Sequence, residues 1–72
     1  MRDQYVISAI YKDGESITEH VMYITENVLE ANNYDVSAYE EPWEVWYTHY
    51  VIDDSGNVLD HRGATLLYPE DD

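Results

Sequence analysis

Residues 15–32 read E-S-I-T-E-H-V-M-Y-I-T-E-N-V-L-E-A-N, and whether they form a helix or one arm of a hairpin decides the fold. At 100° per residue, Ile17, Val21, Ile24, Val28 and Ala31 fall within about 40° of one line, while Glu15, Glu19, Glu26 and Glu30 gather on the opposite side. Ser16 followed by Glu19 has the spacing of a capping box, and Asn32-Asn33 supplies a stop. A strand is the competing reading. Lys12-Asp13-Gly14-Glu15 has turn character, and Thr18, Val21, Tyr23, Ile24 and Thr25 favour strands. Strict alternation, however, puts Ile17, Glu19, Val21 and Tyr23 on one face and Thr18, His20, Met22 and Ile24 on the other, and neither face is cleanly apolar. Periodicity therefore predicts a helix of about four turns over 15–32.

On either side of this segment the chain reads as strands. Q-Y-V-I-S-A-I-Y-K at 4–12 is β-branched and aromatic, too short and too poorly periodic for a helix. Residues 34–42 form a connection ending at Pro42, whose ring disfavours the α region for Glu41. W-E-V-W-Y-T-H-Y-V-I at 43–52 and V-L-D-H-R-G-A-T-L-L-Y at 58–68 make a hairpin through Asp53-Asp54-Ser55-Gly56-Asn57, and Gly63 marks a bulge in its second arm. The expected fold is α+β: one small domain over 1–72 of order β-α-β-β, a three-stranded, mainly antiparallel sheet with one amphipathic helix on one face. Pro69 to Asp72 is expected to be a flexible acidic tail.

One helix covers one side of such a sheet. Trp43, Val45, Tyr47, His49 and Val51 alternate with Glu44, Trp46, Thr48, Tyr50 and Ile52, so whichever face stays open exposes aromatic rings. Exposed aromatic clusters mark interaction surfaces.

Charge narrows the partner. Sixteen Asp and Glu against three Lys and Arg give a formal net charge of −13, beyond the magnitude of about 2–8 that serves solubility in a small domain. Such a chain repels nucleic acid and anionic membranes and attracts basic proteins. The 44% apolar content, eight Tyr and two Trp argue against disorder. Salt adaptation would explain the scarcity of Lys, but four Asn, five Ile and only four Ala fit it poorly. With no cysteine there is neither a disulfide nor a thiolate metal site. The first residues hold too short an apolar run for a signal peptide, and no run approaches the ~20 residues of a membrane span, so a cytoplasmic location is expected.

Enzyme chemistry finds no foothold in the sequence. His20, His49 and His61 match no metal-binding spacing, and the Asp53–Asn57 stretch lacks the ligand pattern of a calcium loop. The four serines sit in no nucleophile motif. Neither catalysis nor a cofactor is expected.

On the predicted helix, Glu15, Glu19, Glu26 and Glu30 would form an interrupted row about 22 Å long with no Lys or Arg between them, the scale of successive phosphates on one strand. Glu40, Glu41, Glu44, Asp53, Asp54, Asp60 and the Glu70-Asp71-Asp72 tail would extend that surface. In size, charge and layout the whole chain resembles the small acidic inhibitors of phages and mobile elements, which occupy the nucleic-acid-binding groove of a host enzyme. Members of that class block restriction enzymes, CRISPR effector complexes, uracil-DNA glycosylase, and nucleoid or transcription proteins, on mutually unrelated folds. The resemblance implies a non-catalytic inhibitor whose partner is a basic nucleic-acid-binding protein or complex, with carboxylates standing in for phosphates and Trp43, Trp46 and Tyr50 as apolar anchors. The rival expectation is an acidic adaptor that docks a basic protein without imitating nucleic acid. Homodimerisation through the open sheet face is compatible with either, given so small a core.

Overall fold

The computed structural model describes residues 1–40 and 42–69. Its frame is a four-stranded antiparallel sheet of β1 (Arg2–Asp13), β2 (Ser16–Thr25), β3 (Trp43–Ile52) and β4 (Val58–Tyr68) in the order β2-β1-β3-β4. The one helix, α1 (Val28–Asn32), is five residues long. Among the described residues the protein is thus mostly β, and the expected three-stranded sheet under a four-turn helix is corrected. The residues assigned to that helix form β2, a loop and one short turn of helix.

Gly14 is where the two readings part. Its φ of 60° suits the first central position of a two-residue type II′ hairpin loop, which Asp13 and Ser16 close as a strand pair. Ser16 is therefore a strand residue rather than a helix cap. Alternation along β2 failed in the sequence because the register shifts once: Ile7 pairs with Tyr23 but Ser8 pairs with Val21, leaving Met22 as the extra residue of a β-bulge. Past the bulge the faces exchange. Ile17, Glu19, Val21 and Ile24 lie on one side of the sheet, and Thr18, His20, Tyr23 and Thr25 on the other, as their β1 partners require.

From the end of β2 the chain crosses one sheet face to reach the start of β3. Asn27 caps α1 by accepting the Leu29 N–H at 2.9 Å, and Asn33 ends it by donating its side-chain amide to the Leu29 carbonyl at 2.8 Å. Glu30 ties the helix to the sheet, accepting from the Thr25 hydroxyl at 2.6 Å and the Tyr23 hydroxyl at 3.2 Å. Under this crossover lies the core: Tyr5, Ile7, Ala9 and Val45 from the sheet and Ala31 from the helix, with Tyr34, Val36, Tyr39, Trp43, Tyr47, Leu67 and Tyr68 packed around them.

The second hairpin follows its expected course. Asp53 organises its loop by accepting the Ser55 and Asn57 N–H groups, both at 2.9 Å. Gly63, at φ 120°, borders a register shift between His49 and Tyr50, so the glycine does sit at a bulge. No helix of the described residues is long and apolar enough to cross a membrane.

Candidate interaction surface

Strand pairing assigns each side chain to a face. The crossover covers the face of Tyr5, Ile7, Ala9 and Tyr11. The other carries Val6, Ser8 and Ile10 of β1, Val21 and Ile24 of β2, Thr48, Trp46 and Tyr50 of β3, and Ala64 and Leu66 of β4. The crossover residues packed on the core belong to the first face, and on the second only Ser8 and, at the strand end, Ile52 are buried among the described residues. Val21 is 58% and Ile24 53% exposed, and the larger rings of Trp46 and Tyr50 are half-buried among their neighbours.

The expected anchors divide accordingly. Trp46 and Tyr50 stand on the open face, Tyr50 with its ring 5.3 Å from that of His61. Trp43 does not join them. It packs on the covered side against Tyr11, with ring centroids 4.9 Å apart, and against Tyr39 at 6.1 Å, so it serves the core.

The carboxylates fall into two groups at opposite ends of the strands rather than one row. Near the Gly14 turn are Asp13, Glu15, Glu19, Glu40 and Glu44, which belong to the first hairpin and the start of β3. At the far end are Asp3, Glu26, Glu30, Asp53, Asp54 and Asp60. At 3.3 Å per residue along β1 the two ends stand roughly 35 Å apart. Glu41 and the Glu70-Asp71-Asp72 tail lie outside the described residues.

Several of these acids are occupied within the chain. Glu26 meets Arg2 at 3.5 Å, Asp60 meets Arg62 at 3.1 Å, and Asp3 meets His49 at 2.9 Å. Glu44, on the open face, accepts from Trp46 Nε1 at 3.1 Å and from Lys12 Nζ at 3.2 Å, and these donors, the indole first, hold its carboxyl below the usual carboxylate range. Asp53 is held low by the Asn57 N–H and the other donors of its loop. All three Lys and Arg side chains are therefore spent on internal pairs. Asp13, Glu15, Glu19 and Glu40 at one end, and Asp54 at the other, face solvent without a cation among the described residues.

Glu19 and Glu44 flank Ile10 on the open face, one on each neighbouring strand. Two strand spacings put them roughly 10 Å apart. The surface is an apolar and aromatic centre bordered by carboxylates. That is the anatomy of a protein-binding patch. Sequence reasoning missed Val21 and Ile24 as members of it, because both had been placed in the buried stripe of a helix. Among the described residues no group of three or more His, Asp or Glu is placed to hold a metal ion. No protein-family model, curated protein or solved structure matches this chain.

Proposed function

We propose that the chain is a non-catalytic binding protein that docks its open sheet face onto a strongly basic, nucleic-acid-binding protein and thereby blocks that partner's access to DNA or RNA. One observation carries the reading: all three cations are engaged internally, so Glu19 on the uncovered aromatic face, and Asp13, Glu15, Glu40 and Asp54 at the ends of the strands, have no cation among the described residues to answer them. The complement of such a surface is an apolar patch ringed by Lys and Arg, and clustered cationic faces are the electrostatic footprint of nucleic-acid-binding proteins. A second copy of this chain is the poorer complement, because each would bring a charge of −13.

One observation favours the adaptor as a second reading. The carboxylates stand at two ends of a sheet and not in a phosphate-like line, so occlusion of the partner would come from coverage of its surface rather than from charge-by-charge imitation.

Capture of partners at low salt, followed by competition, separates the two. An inhibitor and nucleic acid exclude each other on the captured protein, whereas an adaptor leaves nucleic acid bound. Ile24→Lys, placed on the open face away from the core, should weaken capture at least tenfold, and about 1.4 kcal/mol corresponds to that change. Unchanged capture by this variant would remove the open face from the proposal.

A further inference from the structure

On the opposite side of the sheet, between the crossover and the end of β4, a surface cleft of about 580 Å³ is lined by Tyr34, Asp35, Val36, Ser37, Tyr39 and Tyr68. We infer that this cleft binds a small alkylammonium cation, a quaternary ammonium head group above all, with the tyrosine rings as walls and Asp35 as counter-ion.

Three features of the cleft select that chemistry. Its walls are aromatic, and the faces of Tyr rings attract cations within about 6 Å of their centroids, best of all cations with an apolar shell, which are cheap to desolvate. Its carboxylate is ionised and has no cation among the described residues. Asp35 accepts the Ser37 N–H at 2.9 Å, and the Ser37 hydroxyl and N–H hold it below the ordinary Asp range. Every Lys and Arg of the chain is engaged elsewhere, with Glu26, Glu44 and Asp60. Third, the Tyr39 phenol stays neutral. Burial, followed by the adjacent Tyr34 hydroxyl, raises the Tyr39 phenol above its usual value, so the wall keeps an uncharged ring.

Other ligand classes fit less well. A phosphate or carboxylate would face Asp35 within a strongly negative protein. A divalent metal ion needs several oxygen or imidazole ligands, and the described residues offer no such group here. The volume lies within the ~300–1,000 Å³ of small-molecule sites.

Proton and carbon NMR of the tyrosine rings, titrated in about 150 mM NaCl to screen loose counter-ions, tests the inference. The probes are choline, its neutral isostere 3,3-dimethylbutanol, and a short peptide bearing one trimethyl-lysine. Choline should shift the Tyr34, Tyr39 and Tyr68 signals saturably, and the alcohol should bind at least fivefold more weakly. Asp35→Asn, which keeps an oxygen for the Ser37 N–H and so keeps the turn, should cost choline about threefold to fivefold and leave the alcohol unchanged. Tighter binding of the peptide than of choline assigns the head group to a modified protein, and the reverse assigns it to a free small molecule. Equal binding of the alcohol, indifference to Asp35→Asn, or shifts spread over the acidic surface instead of the three rings would each overturn the site. None of these readouts involves the open face, so they stand or fall apart from partner capture.

Discussion

The same strands build both faces of the sheet, and alternate residues meet different fates. On the covered face Ile7 and Val45 are fully buried, closed over by Ala31 and the tyrosines of the crossover. Their sequence neighbours Val6 and Trp46, and Ile10 beside the buried Ala9, point the other way and remain partly in water. What differs is the crossover, which spends its apolar side chains on one side of the sheet. The covered face holds the buried cluster, and the open face keeps apolar side chains partly in water.

The contrast can be broken by substitution. Ile7→Ala, which empties a fully buried site, should cost about 2–4 kcal/mol, a large share of what a domain of this size has. In urea unfolding the midpoint should fall sharply. Ile24→Ser, on the open face and half in water, should cost under about 1 kcal/mol in the same experiment. Equal costs would mean that the open face is part of the core.

Gly14 tests the hairpin that brings β2 to the sheet. Any other L-residue there must adopt φ near 60°, so Gly14→Val should destabilise by about 1–2 kcal/mol. Indifference to that change would return the segment to the helical reading.

Salt sharpens the comparison further, since carboxylates without cations stand at both ends of the strands. Raising NaCl from about 10 to 150 mM shortens the screening length from ~30 to ~8 Å and should raise the melting temperature by a few degrees. The smallest effect concerns acid. Hydrogen bonds from Asn57 hold the Asp53 carboxyl below the ordinary Asp range in the folded protein. Its contribution is thus present above the unfolded value and lost as pH falls through the folded one. Asp53→Asn should blunt the loss of stability below about pH 4, followed by circular dichroism, and Asp54→Asn, outside the loop's hydrogen bonds, should not.

How much of this was legible in the sequence depends on the strand. β3 and β4 show it best: aromatic and β-branched runs bounded by Pro42, the Asp53–Asn57 loop and Pro69 gave 43–52 and 58–68, the spans observed. β2 misled for two physical reasons. It is an edge strand exposed over nearly its whole length, so burial imposes little pattern on it. Its bulge at Met22 also places Ile17, Val21 and Ile24 on one sheet face at spacings of four and three, the spacing of a helical stripe. Glu19 shares that face, which no amphipathic helix would have required. The aromatic half of the candidate surface was legible in Trp46 and Tyr50, because alternation along β3 must expose rings on any face left open. The acidic row was not, since it inherited the helix that carried it. Tyr34, Asp35 and Tyr39, passed over as a connection, were signalled by two aromatics around a carboxylate in a segment with no strand of its own.

The central place of β1 has a consequence for synthesis on the ribosome. The first hairpin is complete once Thr25 has emerged, yet the inner edge of β1, with Ile7 and Ala9, finds its second partner only when β3 follows. At about 5–20 residues per second that interval lasts roughly one to five seconds. During it the nascent chain displays an unpaired strand edge, a template on which neighbouring chains on the same message can pair. Asp3, Asp13, Glu15, Glu19 and Glu26 have already been translated by then, against Arg2 and Lys12. Mutual repulsion between nascent chains is thus in place before the fold that will bury the edge.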